Sequence, residues 1–291
     1  GTGATGNNGL SSPTILDFDN DGDADYVYAG DLNGNLWKFD LTANTPTSWS
    51  VQSIFTAEDP SGNPQPITGQ PTVAYNTLIG SPNYGKLYVF FGTGSFIFDT
   101  DPSDTQVQSW YALIDDGSPI SGRSDLKQRA ISNTGTLAGK DVRTFQVASS
   151  GDMAGMKGWY LDFPAGERMV TGSVLHKLIV PTLIGSSIVP DDDPCAPGGS
   201  GYVNLIDPFT GGSLTEIIID IDNDDDFDNQ DKLGNEIVGS VDPDIGMPGA
   251  PIVVGNRLVV GGSSGGMTSF NVNLGAVTTG RLMWREIIIL D

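Results

Sequence analysis

Apolar and polar side chains alternate along this chain in short runs, each closed by Gly, Asn or Asp. Asp25-Tyr-Val-Tyr-Ala-Gly-Asp31 and Asn35-Leu-Trp-Lys-Phe-Asp-Leu41 flank an Asn33-Gly34 pair. That arrangement predicts two antiparallel strands joined by a type I′ hairpin turn. Lys86-Leu-Tyr-Val-Phe-Phe-Gly-Thr-Gly94 followed by Ser95-Phe-Ile-Phe-Asp99 repeats the plan. So do Gly201-Tyr-Val-Asn-Leu-Ile-Asp207 before Pro208-Phe-Thr-Gly-Gly212, and Arg257-Leu-Val-Val-Gly-Gly262 before Gly266-Met-Thr-Ser-Phe270. Gly158-Trp-Tyr-Leu-Asp162 and Lys177-Leu-Ile-Val180 supply strands between them. Strand, Gly turn and strand ending in Asp, recurring at intervals of tens of residues, predict an all-β chain of the β-propeller class. A β-sandwich is the competing architecture, since it also uses short strands and Gly turns.

At about 40 to 45 residues per blade the chain would hold six or seven blades, but only about five can be traced. Either some blades carry insertions, or the ring is completed by sequence outside this chain. Residues 1–291 are expected to form one propeller domain. The stretches Asn44–Pro71, Asp115–Thr144 and Ile188–Ser200 are rich in Pro, Ser, Gly and Asp, and read as loop insertions.

Two windows break the alternation: Asp17-Phe-Asp-Asn-Asp-Gly-Asp-Ala-Asp25 and Asp220-Ile-Asp-Asn-Asp-Asp-Asp-Phe-Asp228. Carboxylates at every second position repel one another unless a cation sits among them. EF-hand-like loops use side-chain oxygens at positions one, three and five, a carbonyl at seven and a further ligand at nine. The first window offers Asp17, Asp19, Asp21, the carbonyl of Asp23, and Asp25, with Gly22 at the sharp sixth position. Its twelfth position is Tyr28, so a water or another segment must complete the shell. The second window offers Asp220, Asp222, Asp224, the carbonyl of Asp226, and Asp228, with Asp231 on the twelfth position. Asp225 stands at its sixth position, where a non-Gly residue is strained. Two Ca²⁺ sites are therefore expected. All-oxygen cages suit calcium, whereas zinc or copper would want His or Cys. The single His176 sits in the apolar stretch Val174–Val180 and reads as a strand residue, far in sequence from the single Cys195.

Composition narrows the function. Gly numbers 39 and Pro 18, which suits many tight turns and argues against long helices. The net charge is −22, with much of the acid in the two windows, and two bound Ca²⁺ would still leave an acidic surface. Such a surface repels nucleic acid and anionic lipid. No apolar run approaches the roughly 20 residues of a membrane helix, so direct membrane insertion is not expected. One cysteine permits no internal disulfide. Calcium points instead to an exported protein, because extracellular calcium fills even modest sites. The opening Gly1-Thr-Gly-Ala-Thr-Gly6 reads as the start of a processed or excised piece.

The segment Tyr28-Ala-Gly-Asp-Leu-Asn-Gly-Asn-Leu-Trp-Lys-Phe-Asp-Leu41, preceded by the acidic loop, resembles the C-terminal β-propeller of the PilC/PilY family of type IV pilus-associated proteins. Further segments agree in order: Phe91–Gly94, Gln108–Tyr111 with Asp115–Gly117, Gly158–Asp162 with Gly166–Arg168, and Asp193–Gly199. The resemblance implies a protein of the bacterial surface, at the pilus tip or in the outer membrane, that assists pilus assembly, adhesion and twitching motility. It implies minor pilins or other pilus components as partners, and a host or abiotic surface as a target. In that family a propeller calcium site is linked to pilus extension against retraction, and its ligands match Asp17, Asp19, Asp21 and Asp25. No Arg-Gly-Asp tripeptide occurs here, so integrin binding is not carried over.

Two other classes compete. A quinoprotein-dehydrogenase-like propeller is suggested by Leu205-Ile-Asp-Pro-Phe-Thr-Gly211, but the same string is ordinary turn chemistry, no vicinal Cys pair accompanies it, and no catalytic role is expected. Hydrolysis by a Ser-His-Asp arrangement would have to use His176, without a Gly-x-Ser-x-Gly elbow. A generic calcium-dependent adhesive propeller would share the acidic loops.

Overall fold

A computed structural model describes residues 8–191 and 198–275. Among these the chain is built of strands and short 3₁₀ turns arranged in four sheets. The first sheet is an antiparallel meander of β1 (Thr14–Leu16), β2 (Tyr26–Gly30), β3 (Asn35–Asp40) and β4 (Ser50–Thr56). The second runs through β5 (Thr72–Tyr75), β6 (Leu87–Gly92) and β7 (Ser109–Asp115). A long excursion then forms β8 (Lys127–Arg129), β9 (Ile131–Leu137) and β10 (Lys140–Phe145) before β11 (Gly158–Asp162) returns to pair with β7. β8 adds to β11 in parallel, while the β9–β10 hairpin crosses to the third sheet. That sheet contains β12 (Val174–Lys177), β13 (Pro181–Val189), β14 (Ser200–Ile206), the two-residue β15 (Lys232–Leu233) and β16 (Glu236–Val241), and β10 pairs with β16. The fourth comprises β17 (Ile252–Val254), β18 (Arg257–Gly261) and β19 (Met267–Asn271).

The central sheets are buried on both faces, which distinguishes a propeller from a two-layer sandwich. In β6, Leu87, Val89 and Phe91 pack toward the first sheet with Tyr28, Leu36 and Phe55. Tyr88 and Phe90, on the other face, pack with Trp159, Met169 and Leu183. β7 divides in the same way, Tyr111 and Leu113 to one side, Trp110 and Ala112 to the other. In the third sheet Leu183 and Ile206 face back, whereas Ile184, Val203 and Leu205 face the fourth sheet with Leu258, Val260 and Phe270. Burial on two sides explains the continuous apolar runs at these strands.

The innermost strands follow one another: β1 touches β5, and β5 touches β12. Thr14 Oγ1 donates to the carbonyl of Pro71, just before β5, and Thr72 Oγ1 donates to that of Ser173, just before β12. Gly69 and Gly172 lie back to back at this approach. A Cβ on Gly69 would come 2.8 Å from Thr171 O, and one on Gly172 would come 2.9 Å from Gln70 O. The excursion is tied down by Arg143 of β10, which binds both Glu167 oxygens at 2.8 and 2.9 Å and lies 3.4 Å from the centre of the Tyr202 ring.

Several sequence expectations need correction. The Asn33-Gly34 turn is not type I′, because only Gly34 has positive φ, at 80°. The Asp31 carboxylate accepts from the amides of Asn33 and Asn35, both at 2.9 Å, and sets a wider turn. Ser95–Asp99 does not pair with β6, whose partners are β5 and β7. There the Asp101 carboxylate takes the Ile97 and Phe98 amides, at 2.7 and 3.0 Å, away from any ladder. β12 ends at Lys177, and 178–180 form a bend. The first two loop insertions contain strands, β4 in one and β8, β9 and the start of β10 in the other. Four sheets, not five blades, lie among the described residues. Cys195 and most of the segment Asp193–Gly199 lie outside them.

Two predictions concern this fold. Phe90→Ala, at a fully buried position, should cost about 3–5 kcal/mol in denaturant melts, against under about 0.5 for Val51→Ala on the exposed β4. Asp59 and Asp116 are both held near a pKa of about 2: burial alone would raise them, and hydrogen bonds from Asn63 and Gln106, or from Ser118, Lys157 and Lys86, outweigh it. Since these folded-state values lie below the ordinary carboxylate value, their contribution is whole above about pH 4 and is lost as pH falls toward 2. Acid melts of Asp59→Asn should show a shallower decline across that window than the parent.

Candidate metal centres

The first acidic loop, 17–25, is the connection between β1 and β2. The second, 220–231, lies in the long connection between β14 and β16 and ends in a 3₁₀ turn at Asn229–Asp231. Though unrelated in their strand context, the two share a backbone. The fourth position is a left-handed Asn in each, Asn20 at φ 62° and Asn223 at 63°. The sixth is left-handed as well, Gly22 at 96° and Asp225 at 68°, so the strain expected at Asp225 is present.

The hydrogen bonds repeat too. The amide of the sixth residue donates to the first carboxylate: Gly22 N to Asp17 Oδ2 at 3.0 Å, Asp225 N to Asp220 Oδ2 at 3.1 Å. The amide of the seventh donates to the fifth: Asp23 N to Asp21 Oδ1 at 2.8 Å, Asp226 N to Asp224 Oδ1 at 2.9 Å. These bonds turn the carboxylates inward. Asp17, Asp19 and Asp21 each bring an oxygen within 4.8 Å of the others, and Asp220, Asp222 and Asp224 do the same.

The loops differ in how they close. In the first, Asp25 at the ninth position accepts the Phe18 amide at 2.6 Å. In the second the equivalent amide, of Ile221, goes at 2.6 Å to Asp231 at the twelfth position. Asp228 instead caps the 3₁₀ turn through Gln230 N at 2.6 Å. Tyr28, the twelfth residue of the first loop, is buried in β2 and donates its hydroxyl to Asp115 at 2.6 Å. Thus the structure gathers the first three carboxylates of each set. Asp25 and Asp231 brace the loops, Asp23 and Asp226 contribute backbone at the seventh position, and Asp228 is exposed at the turn.

One residue escaped the spacing argument. Asn271 of β19 donates to Asp220 Oδ2 at 3.1 Å and to Asp225 Oδ1 at 2.6 Å, tying the second loop to the fourth sheet. Its only sequence signal was a polar residue at the end of an apolar strand. The Asn at the fourth position of each loop, Asn20 and Asn223, is a sequence signal that the ligand spacing passes over, since Asn tolerates the left-handed region better than most residues.

The fit of a cation rests on orphaned oxygens. Asp17 Oδ1 and Asp222 Oδ1 are shielded from water and have no hydrogen-bond partner. An unpaired carboxylate oxygen in that state is costly, more so beside other carboxylates. The crowding registers as raised pKa values at Asp19 and Asp222, first through lost hydration and then through repulsion from Asp21 and Asp224 respectively. Asp231 is also raised, by burial. A hard cation with flexible oxygen coordination matches this donor set. His176 lies in β12, away from either cluster.

The string suggesting a quinoprotein has a structural use. Asp207 Oδ1 accepts the Phe209 and Thr210 amides at 2.8 and 3.0 Å, and the Pro208 carbonyl accepts from Trp159 Nε1 at 2.8 Å. Gly211, at φ 68°, packs against the Trp159 ring, with no room for a Cβ.

Comparison with known proteins agrees with this architecture. The family model described as the PilY1 beta-propeller domain matches residues 1–139, which include the first acidic loop. A type IV pilus biogenesis factor PilY1 homolog of Xylella fastidiosa is 35% identical, over 98% of this chain and 22% of its own length. The type IV pilus biogenesis factor PilY1 of Pseudomonas aeruginosa strain PAO1 is 31% identical, over 98% of this chain and 28% of its own. The chain therefore spans about a quarter of the length of these relatives. The crystal structure of the Pseudomonas aeruginosa PilY1 C-terminal domain superposes with a TM-score of 0.74 at 24% identity, covering 94% of this chain and 62% of that one, and shares its fold. By sequence and by fold, the chain belongs to the PilY1 family as a β-propeller of that family.

Proposed function

We propose that the chain is a calcium-binding propeller module of a type IV pilus biogenesis protein, acting at the pilus tip or outer membrane through binding, without catalysis. The observation that carries the metal part is the pair of shielded, partnerless oxygens, Asp17 Oδ1 and Asp222 Oδ1, each inside a cluster of three carboxylates. The pilus part rests on the relatives, named as type IV pilus biogenesis factors. The partners proposed are minor pilins or other pilus components, with adhesion to a host or abiotic surface and twitching motility as the processes served.

The mechanism is physical. A cation among the inward-turned carboxylates removes their repulsion and fixes the loop, and free Ca²⁺ a hundredfold above the dissociation constant stabilises the folded form by about 2.7 kcal/mol per site. The first loop would hold the β1–β2 connection beside the innermost strand. The second would hold the fourth sheet through Asn271. Metal occupancy can then bias a partner contact only by its different affinity for the ordered and disordered loop.

Calorimetric titration of the chain with Ca²⁺ should give two equivalents. Asp17→Ala and Asp222→Ala should each remove one, and undiminished stoichiometry in either variant rejects that loop as a site. Asn271→Ala should weaken the second site alone. Chelation with EGTA should lower the melting temperature, and superimposable melts with and without chelator would show the loops do not bind Ca²⁺ in the folded chain. A pull-down of purified minor pilins, stronger with Ca²⁺ than with EGTA, tests the biological half of the reading; no retention in either condition refutes it.

A further inference from the structure

Beside the first acidic loop, between the first and second sheets, opens a cleft of about 430 Å³. That is within the usual size of a small-molecule pocket. Its apolar wall is aromatic. Phe18, the second residue of the acidic loop, is 55% exposed. Its ring stands edge-on to Tyr26 at 6.1 Å and lies 6.2 Å from that of Tyr75. Phe18 belongs to none of the buried clusters and leaves about half of its surface open along the cleft.

The lining carries two lysines and two aspartates, Lys38 and Lys86 with Asp115 and Asp116. Lys38 binds Asp115 at 2.6 Å while lying 4.1 Å from the centre of the Tyr26 ring. Asp115 also accepts from Tyr28. Lys86 meets Asp116 at 3.4 Å, and Lys157, outside the lining, reaches the same carboxylate at 3.3 Å. A charged ligand would have to break one of these pairs. A purely apolar ligand would strip water from the Lys86–Asp116 pair and return no hydrogen bond. The remaining class has an apolar face, an uncharged polar edge and the size of a single ring.

We propose that this cleft binds a neutral sugar ring, its C–H face against Phe18, Tyr26 and Tyr75 and its hydroxyls toward the Lys86–Asp116 rim. Aromatic rings supply large, rigid contact area, and the paired lysines and aspartates supply donors and acceptors without a net charge to satisfy. The site is coupled to the acidic loop, a step that rests on the calcium reading above. Phe18 lies between Asp17 and Asp19, and its amide is held by Asp25. A cation that orders those carboxylates orders the aromatic wall, and by linkage the sugar tightens the cation to the same degree.

The test is saturation-transfer NMR on the whole chain with the methyl glycosides of glucose, galactose, mannose and N-acetylglucosamine, each at about 10 mM to reach millimolar affinities. At least one should show transfer concentrated on the C–H protons of one ring face. Phe18→Ala should abolish it. Lys86→Met, which keeps the aliphatic stem and removes only the rim donor, should weaken it by about tenfold, the scale of one hydrogen bond. Transfer to none of the four sugars, or transfer unchanged by both variants, overturns the proposal. EGTA should weaken binding severalfold in samples whose Ca²⁺ uptake is measured in parallel. Sugar affinity indifferent to Ca²⁺ in a chain that binds the ion overturns the coupling. Sugar binding by a chain that takes up no Ca²⁺ overturns the metal reading and leaves the cleft standing.

Discussion

Each central sheet is buried on both faces, and the rest of the molecule follows from that constraint. A strand such as β6, with Val89 facing one neighbour and Phe90 the other, has no solvent face on which to carry charge. Its stability cannot be separated from that of the sheets on either side. Polar residues are consequently driven to the strand ends and connections, where carboxylates find amides instead of water. Asp31, Asp59, Asp101 and Asp207 each organise a turn in this way. The acidic composition is thus largely used by the scaffold itself, as backbone acceptor at the places where the chain reverses.

The two acidic loops are the exception, since their carboxylates outnumber the amides available. Both reach the same geometry through left-handed residues at the fourth and sixth positions, in unrelated surroundings. Such convergence follows from the shared spacing of Asp and Asn, and it turns the carboxylates of both loops inward. The sixth position is indifferent to Gly against Asp in outcome but not in energy. The cost at Asp225 is offset by the bond its carboxylate receives from Asn271, a compensation Gly22 does not need.

How much of this was legible from the sequence depends on range. The acidic loops and the β2–β3 and β18–β19 hairpins were, because a ligand set at fixed spacing or two strands joined by a short turn is a local property. Non-local pairing was not. β4 is polar and largely exposed, so it carries little apolar signal, yet its ladder with β3 is set by the sheet. β8–β10 read as insertion because their partners are β11 and β16, on the far side of other strands. At Ser95–Asp99 the apolar side chains promised a strand, and the Asp101 carboxylate redirected the amides. The inner strands had a signature in Pro13-Thr14 and Pro71-Thr72, which the change to Ser173-Val174 hid.

The different closures of the loops carry a physical consequence. The first is exposed at most of its carboxylates and is braced by Asp25 within its own hairpin, so ordering it affects mainly the rim of the first sheet. In the second, Asp220 and Asp231 are buried and Asn271 joins them from another sheet. Burial raises both the cost of leaving the carboxylates uncompensated and the strength of any cation's attraction to them. Loss of charge balance there would be transmitted into β19 and the apolar cluster around Phe270, whereas loss at the first loop would stay near the surface. On this geometry the second loop is suited to holding sheets together and the first to adjusting an exposed surface, a division set by burial rather than by the ligand pattern the two have in common.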